Sequence, residues 1–272
     1  SVRLGYNNAD TLVLYLLNSY LDLDETQQRV ARDGTRALLD WHRRSQLAEY
    51  VTFIDSAQVQ LEGPVAPRQV LAFTLGFNQR LAAIGEQAAP TIAALALTLQ
   101  PEQLERLEKK LAQDLKKARR EVVRYSGGDA VGERTRIYAE RVENWFGSVS
   151  DAQLALIRES LATRTGGDQW WLEERAQRQR ELLVLARRIQ DEQPTAETAA
   201  QWVREYLVTL REPPTPERRA RIEAWRLGNA ELVTQLVNTA DAEQKRHLLG
   251  KLRGYAEDFN ALATEANRTR RG

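Results

Sequence analysis

Apolar residues recur every three or four positions along almost the whole chain, and no alternating pattern of the kind a strand needs competes with them. Leu248, Leu252, Tyr255, Phe259 and Leu262 form one stripe, and Leu104, Leu107, Leu111, Leu115, Ala118 and Val122 form another behind Pro101. Proline suits that place, because the first turn of a helix needs no N–H. Leu47, Val51, Ile54, Ala57 and Leu61 mark the second half of a long helix starting near Glu25. Unbroken, it would run about 55 Å at about 1.5 Å per residue, with Gly34 as its weak point.

The breaks are equally legible. Ser126-Gly127-Gly128-Asp129 and Thr165-Gly166-Gly167-Asp168 each offer glycine to end one helix and aspartate to cap the next. Gly63-Pro64, Gln193-Pro194 and Pro213-Pro214 are further stops. These signals predict about ten helices, over 9–20, 25–61, 67–88, 90–98, 101–125, 129–146, 151–163, 168–191, 195–211 and 215–268, the last broken near Thr239. The expected fold is all-α, an elongated array of antiparallel helical hairpins. A single helical domain over 1–272 is expected, with a soft junction near 164–168, since no loop is long enough to be an interdomain linker.

Four predicted helices open with similar words: Leu23-Asp24-Glu25-Thr26-Gln27, Leu99-Gln100-Pro101-Glu102-Gln103, Val149-Ser150-Asp151-Ala152-Gln153 and Ala240-Asp241-Ala242-Glu243-Gln244. In three of them Asp24, Ser150 or Asp241 is followed three positions later by glutamine, the pattern of a capping box. Helix initiation by itself accounts for such a pattern, which is widely used and stabilises a helix by about 1 kcal/mol. The words also resemble the Leu-Thr-x-x-Gln motif of small periplasmic helical proteins of the Spy and CpxP type, although no copy here has threonine at the second position.

A longer likeness begins at Ser1-Val2-Arg3-Leu4-Gly5-Tyr6-Asn7-Asn8-Ala9-Asp10. It continues through Leu21-Asp22-Leu23, Trp41-His42-Arg43-Arg44 and Ala242-Glu243-Gln244-Lys245-Arg246-His247-Leu248-Leu249. These segments resemble an uncharacterised family of proteobacterial lipoproteins, in which a lipidated cysteine precedes such a serine. The resemblance implies a lipid-anchored periplasmic protein, expected at the outer membrane, and brings no known activity with it.

Composition narrows the chemistry. Lys+Arg number 39 and Asp+Glu 38 in 272 residues, so the basic excess expected of a general nucleic-acid binder is missing. Without cysteine there is no disulfide, thiol nucleophile or thiolate-bound metal. The longest apolar run, Leu12 to Leu17, falls far short of the roughly 20 residues a membrane-spanning helix needs. Neither histidine, His42 or His247, has a second ligand at i+4, so no metal site and no cofactor are expected. The glycine pairs lack the lysine of a phosphate loop and follow no strand. The basic stretch Lys109-Lys110, Lys116-Lys117 and Arg119-Arg120 is interleaved with Glu105, Glu108, Asp114 and Glu121, which makes it a solvated helix face.

Six tryptophans supply large rings, mostly what a core requires. Trp170 and Trp171 stand apart, because adjacent helix positions point about 100° from one another, so that one can face a groove. With Trp41, His42 and Arg43 they are the candidate binding residues. The leading expectation is a non-enzymatic binding, chaperone-like or scaffolding module of the cell envelope. Its partners would be envelope proteins or unfolded clients, with the membrane reached through an N-terminal lipid and no nucleic acid involved. The enzymatic alternative is a helical peptidoglycan-acting lytic enzyme using Glu159, which is followed by serine as in lytic transglycosylases. A purely structural partner in an envelope complex is a third reading.

Overall fold

The computed structural model describes residues 2–126, 128–164 and 167–269. Among these residues there are twelve helices and no strand, so the fold is all-α. In chain order the helices are α1 (Val2–Asn7), α2 (Ala9–Leu21), α3 (Glu25–Ser45), α4 (Leu47–Gln60), α5 (Pro67–Ala96), α6 (Pro101–Ser126), α7 (Ala130–Phe146), α8 (Asp151–Ala162), α9 (Gly167–Glu192), α10 (Ala196–Thr209), α11 (Pro216–Asn238) and α12 (Ala242–Thr269). Gly127, Thr165, Gly166, Arg270 and Arg271, which belong to the two glycine turns and the basic tail, lie outside the described residues.

Besides the short α1, Val2–Asn7, which the expected helices do not include, two boundaries differ from expectation. The helix predicted over 25–61 is divided at Gln46 and not at Gly34, which lies inside α3. A Cβ built on Gly34 would overlap the side chain of Thr91, so this glycine serves the close approach of α3 and α5. Alanine in a helix interior is ordinarily better than glycine by about 1 kcal/mol. Gly34→Ala is nevertheless expected to destabilise, by about 1–3 kcal/mol of overpacking, and urea unfolding of the pair reads the sign. The second difference is α5, which runs through Pro90 where a break was expected. Proline withholds one N–H there, but Ala89 and Ala93 sit at no more than 1% exposure against α10 residues Ala199 and Ala200. Dense packing overrides the local preference.

The chain forms two compact units, each assembled from three separated stretches: 1–45, 79–120 and 170–218, and 46–78, 121–169 and 219–272. One of the divisions falls at 169/170. In the first unit Leu21, Leu23, Leu95, Leu99, Leu104 and Leu183 make one apolar cluster. A buried polar network stands beside this core. Glu174 of α9, 3% exposed, takes hydrogen bonds from Arg178 (2.8 Å) and from two nitrogens of Arg218 (2.8 and 2.9 Å). Arg218 also holds Glu181 at 2.6 Å, and Arg178 reaches the Leu210 carbonyl at 3.1 Å. In the second unit Val142, Phe146, Ile157, Leu232, Leu236 and Leu248 form the main cluster, extended by Ile54, Leu252 and Ala256.

All three expected capping boxes are present. Gln27 N–H donates to Asp24 Oδ1 (2.8 Å) while Asp24 N–H donates to Gln27 Oε1 (3.0 Å), and Ser150/Gln153 and Asp241/Gln244 repeat the exchange. The fourth word keeps half of it, Gln100 N–H to Gln103 Oε1 at 3.0 Å. Helix initiation is only part of what these glutamines do. In the first unit the amides of Gln27 and Gln103 donate to each other's oxygens at 2.9 and 2.7 Å, and their nitrogens also reach the Thr98 and Asp22 carbonyls. The second unit repeats the arrangement: Gln153 and Gln244 exchange amide bonds of 3.1 and 2.8 Å, and Gln244 also donates to the Ser148 carbonyl. Each unit is therefore fastened where two helices begin by one reciprocal amide pair, part-buried in the first unit and buried in the second.

Candidate functional site

One concavity lies wholly in the second unit. It has a volume of about 470 Å³, within the range of about 300–1,000 Å³ usual for small-molecule sites. Its walls come from the end of α4 and the loop after it (Leu61, Val65), the first turns of α5 (Val70, Phe73), α7 (Val142, Trp145, Phe146), α11 (Trp225, Val233, Leu236) and α12 (Leu248, Leu252). Each helix turns its apolar stripe inward, as the periodicity requires, but between them the side chains leave a space that Phe73 and Trp225, 38% and 41% exposed, only partly cover.

Several polar contacts hold these walls in place. Asn238 at the end of α11 donates to the Val65 carbonyl and accepts from the Val65 N–H, both at 2.9 Å, pairing with the loop backbone as another strand would. Gln69 caps the start of α5 by accepting from Ala66 N–H at 2.8 Å. Tyr138 donates to Asn229 Oδ1 at 2.9 Å. Burial pushes the Tyr138 phenol up, and the charges of Arg164 and Arg141 pull it partly back. Lys251 lies 5.2 Å from the centre of the Trp145 ring and donates to Asn144 Oδ1 at 2.6 Å.

Charge in the lining is sparse. Arg141 is its one charged side chain among the described residues, and it is exposed. Its helical neighbours at three and four residues are Ile137, Tyr138, Asn144 and Trp145, none of them acidic, and among the described residues no carboxylate pairs with it.

None of Trp170, Trp171, Trp41, His42 and Arg43 lines this concavity. Trp170 is packed at 9% exposure, and the half-buried Trp171 meets it edge to face with ring centres 4.5 Å apart. His42 Nδ1 is 2.7 Å from the Tyr6 hydroxyl and the two rings stack at 5.7 Å, while Arg43 sits over Tyr6 and donates to Asn7 at 2.9 Å. This cluster fastens α1 to α3, and burial holds the His42 imidazole below its ordinary pKa. The other histidine, His247, packs against Gly147, which ends α7 at φ 80°. Among the described residues no three metal-capable side chains come together. Glu159 is exposed on α8 and outside the concavity.

The tryptophans that do line it, Trp145 and Trp225, read in the sequence as core rings. An arginine on α7 with no acid one turn away was the available signal, and it is visible only after α7 is placed. A family model described as "Family of unknown function (DUF6279)" matches residues 19–199, about two thirds of the chain. The chain belongs to this family. The matched span includes the α4, α5 and α7 walls, whereas the α11 and α12 walls lie beyond it. No curated protein and no solved structure matches the chain.

Proposed function

We propose that this member of the family is a non-enzymatic binding module of the cell envelope, and that the second unit's concavity is where it binds. The observation that carries the reading is an apolar hollow of ligand size that the chain's own side chains leave unfilled. Cores close such spaces, since packing normally reaches crystal-like density. The chemistry for turnover is not gathered around it. A general acid for glycoside cleavage needs an apolar setting to keep its proton, and Glu159 stands in solvent. Lipid anchoring in the periplasm is part of the proposal and rests on the likeness of the opening residues to lipoproteins; palmitate labelling of the precursor tests it.

Binding itself is tested with a neutral apolar dye whose emission rises out of water. One saturable site per chain is expected. Val233→Trp, which puts a ring into the hollow, should remove that site while leaving helicity intact. Dye uptake that never saturates, or that Val233→Trp leaves unchanged, would sink the reading. A chaperone-like role adds a further expectation: the protein should slow the aggregation of an unfolded test protein, and Val233→Trp should blunt the effect.

A further inference from the structure

The character of the lining narrows the ligand, an inference that rests on the binding reading above: we propose that the concavity holds a free long-chain fatty acid, its hydrocarbon tail among the apolar side chains and its carboxylate at Arg141. Three observations converge on it. The first is charge. Among the described residues one exposed cation stands in an otherwise uncharged lining, with no acid paired to it, and a guanidinium fork matches a carboxylate with two parallel hydrogen bonds.

The second is the state of the polar lining. Polar groups in the lining are few, Gln60, Gln69, Tyr138 and Asn229 beside Arg141, and Gln69 Oε1 already accepts from Ala66 N–H and Asn229 Oδ1 from the Tyr138 hydroxyl. A peptide lying in the hollow would bring a donor and an acceptor with every residue, and burying those without partners is unfavourable. A hydrocarbon tail brings none. The third is size: about 470 Å³ sits in the lower half of the usual range, which is the scale of one acyl chain and not of a two-chain lipid. Trp225 and Phe73 at the solvent edge would then close over the upper part of the tail.

The test is a tryptophan-fluorescence titration of the whole protein with octanoate, dodecanoate and hexadecanoate below their aggregation concentrations, and with hexadecanol as the uncharged counterpart. Affinity should rise about fourfold per added methylene until the hollow is full. Arg141→Gln should weaken the carboxylates by about twofold to fivefold, the range of an exposed ion pair, and leave hexadecanol unchanged. Val233→Trp should abolish binding of all of them; if that variant fails to fold, Val70→Trp fills the space from the α5 wall. Hexadecanoate binding that ignores Arg141→Gln overturns the assignment of the head group. If the fatty acids fail to bind while the neutral dye still saturates one site, the ligand is wrong and the binding reading stands. Failure of both removes both.

Discussion

Glu174→Ala should cost about 3–5 kcal/mol at neutral pH, the loss expected when one partner of a buried ion pair is removed and the others keep their charge. Arg178 and Arg218 both converge on this carboxylate, which is 3% exposed, and Arg218 would be left with Glu181 alone. The effect also carries a pH signature. Burial by itself would raise the Glu174 carboxyl; the hydrogen bonds from Arg218 and Arg178 outweigh it and hold the group below the ordinary carboxylate range. A carboxyl depressed in the folded state contributes its full stability above the unfolded pKa and loses it as pH falls through the folded one. Urea unfolding should therefore show a wide gap between variant and parent at pH 7, narrowing at strongly acid pH. Equal stabilities at neutral pH would mean that the network adds nothing to the fold.

The second large effect separates two roles for the same residue. In an isolated capping box glutamate serves as well as glutamine, because only the acceptor oxygen is used. If Gln153 were only a cap, Gln153→Glu would be close to neutral. However, Gln153 is 1% exposed and also donates its amide to Gln244 Oε1. A carboxylate there cannot donate, would face another oxygen, and would be a charge out of water. A loss of more than about 2 kcal/mol is expected, the lost bond and the buried charge acting together. Protonation restores the donor, so this loss should shrink as pH falls toward the ordinary glutamate pKa, followed by thermal unfolding across the acid range. The same change at Gln103, which is less deeply buried, should cost less.

These glutamines also mark how far the sequence could be read. Helix positions were legible, since an apolar stripe and a cap leave their marks within a few residues of each other. Asp24, Ser150 and Asp241 were recognisable as caps for that reason. All four words end in glutamine and never in glutamate, and of those two side chains at neutral pH only the amide can give a hydrogen bond as well as take one. Which word pairs with which could not be seen, because Gln27 finds Gln103 and Gln153 finds Gln244 across 76 and 91 residues. Gly34 departs from expectation for a related reason. A glycine inside a helix looks like a weak point until the Thr91 side chain opposite it is known. The boundary expected between 88 and 90 is absent because the alanines on either side of Pro90 pack on α10. The concavity was the least legible part, because Trp145 and Trp225 have the same periodicity whether they fill a core or border a hollow.

The interleaving of the two units has a consequence for biosynthesis. Each unit needs three stretches of chain, the first closing only with residues 170–218 and the second only with 219–272. Emerging from the ribosome at about 5–20 residues per second, the chain cannot close the first unit before residue 218 is made, nor the second before the stretch that follows it. For most of its synthesis it must carry helices with uncovered greasy stripes. Gln27 has to wait for residue 103, and Gln153 for residue 244. Truncation before residue 242 would strip α12 from the second unit, and its product is a natural target for proteolysis and not a smaller working version of the protein.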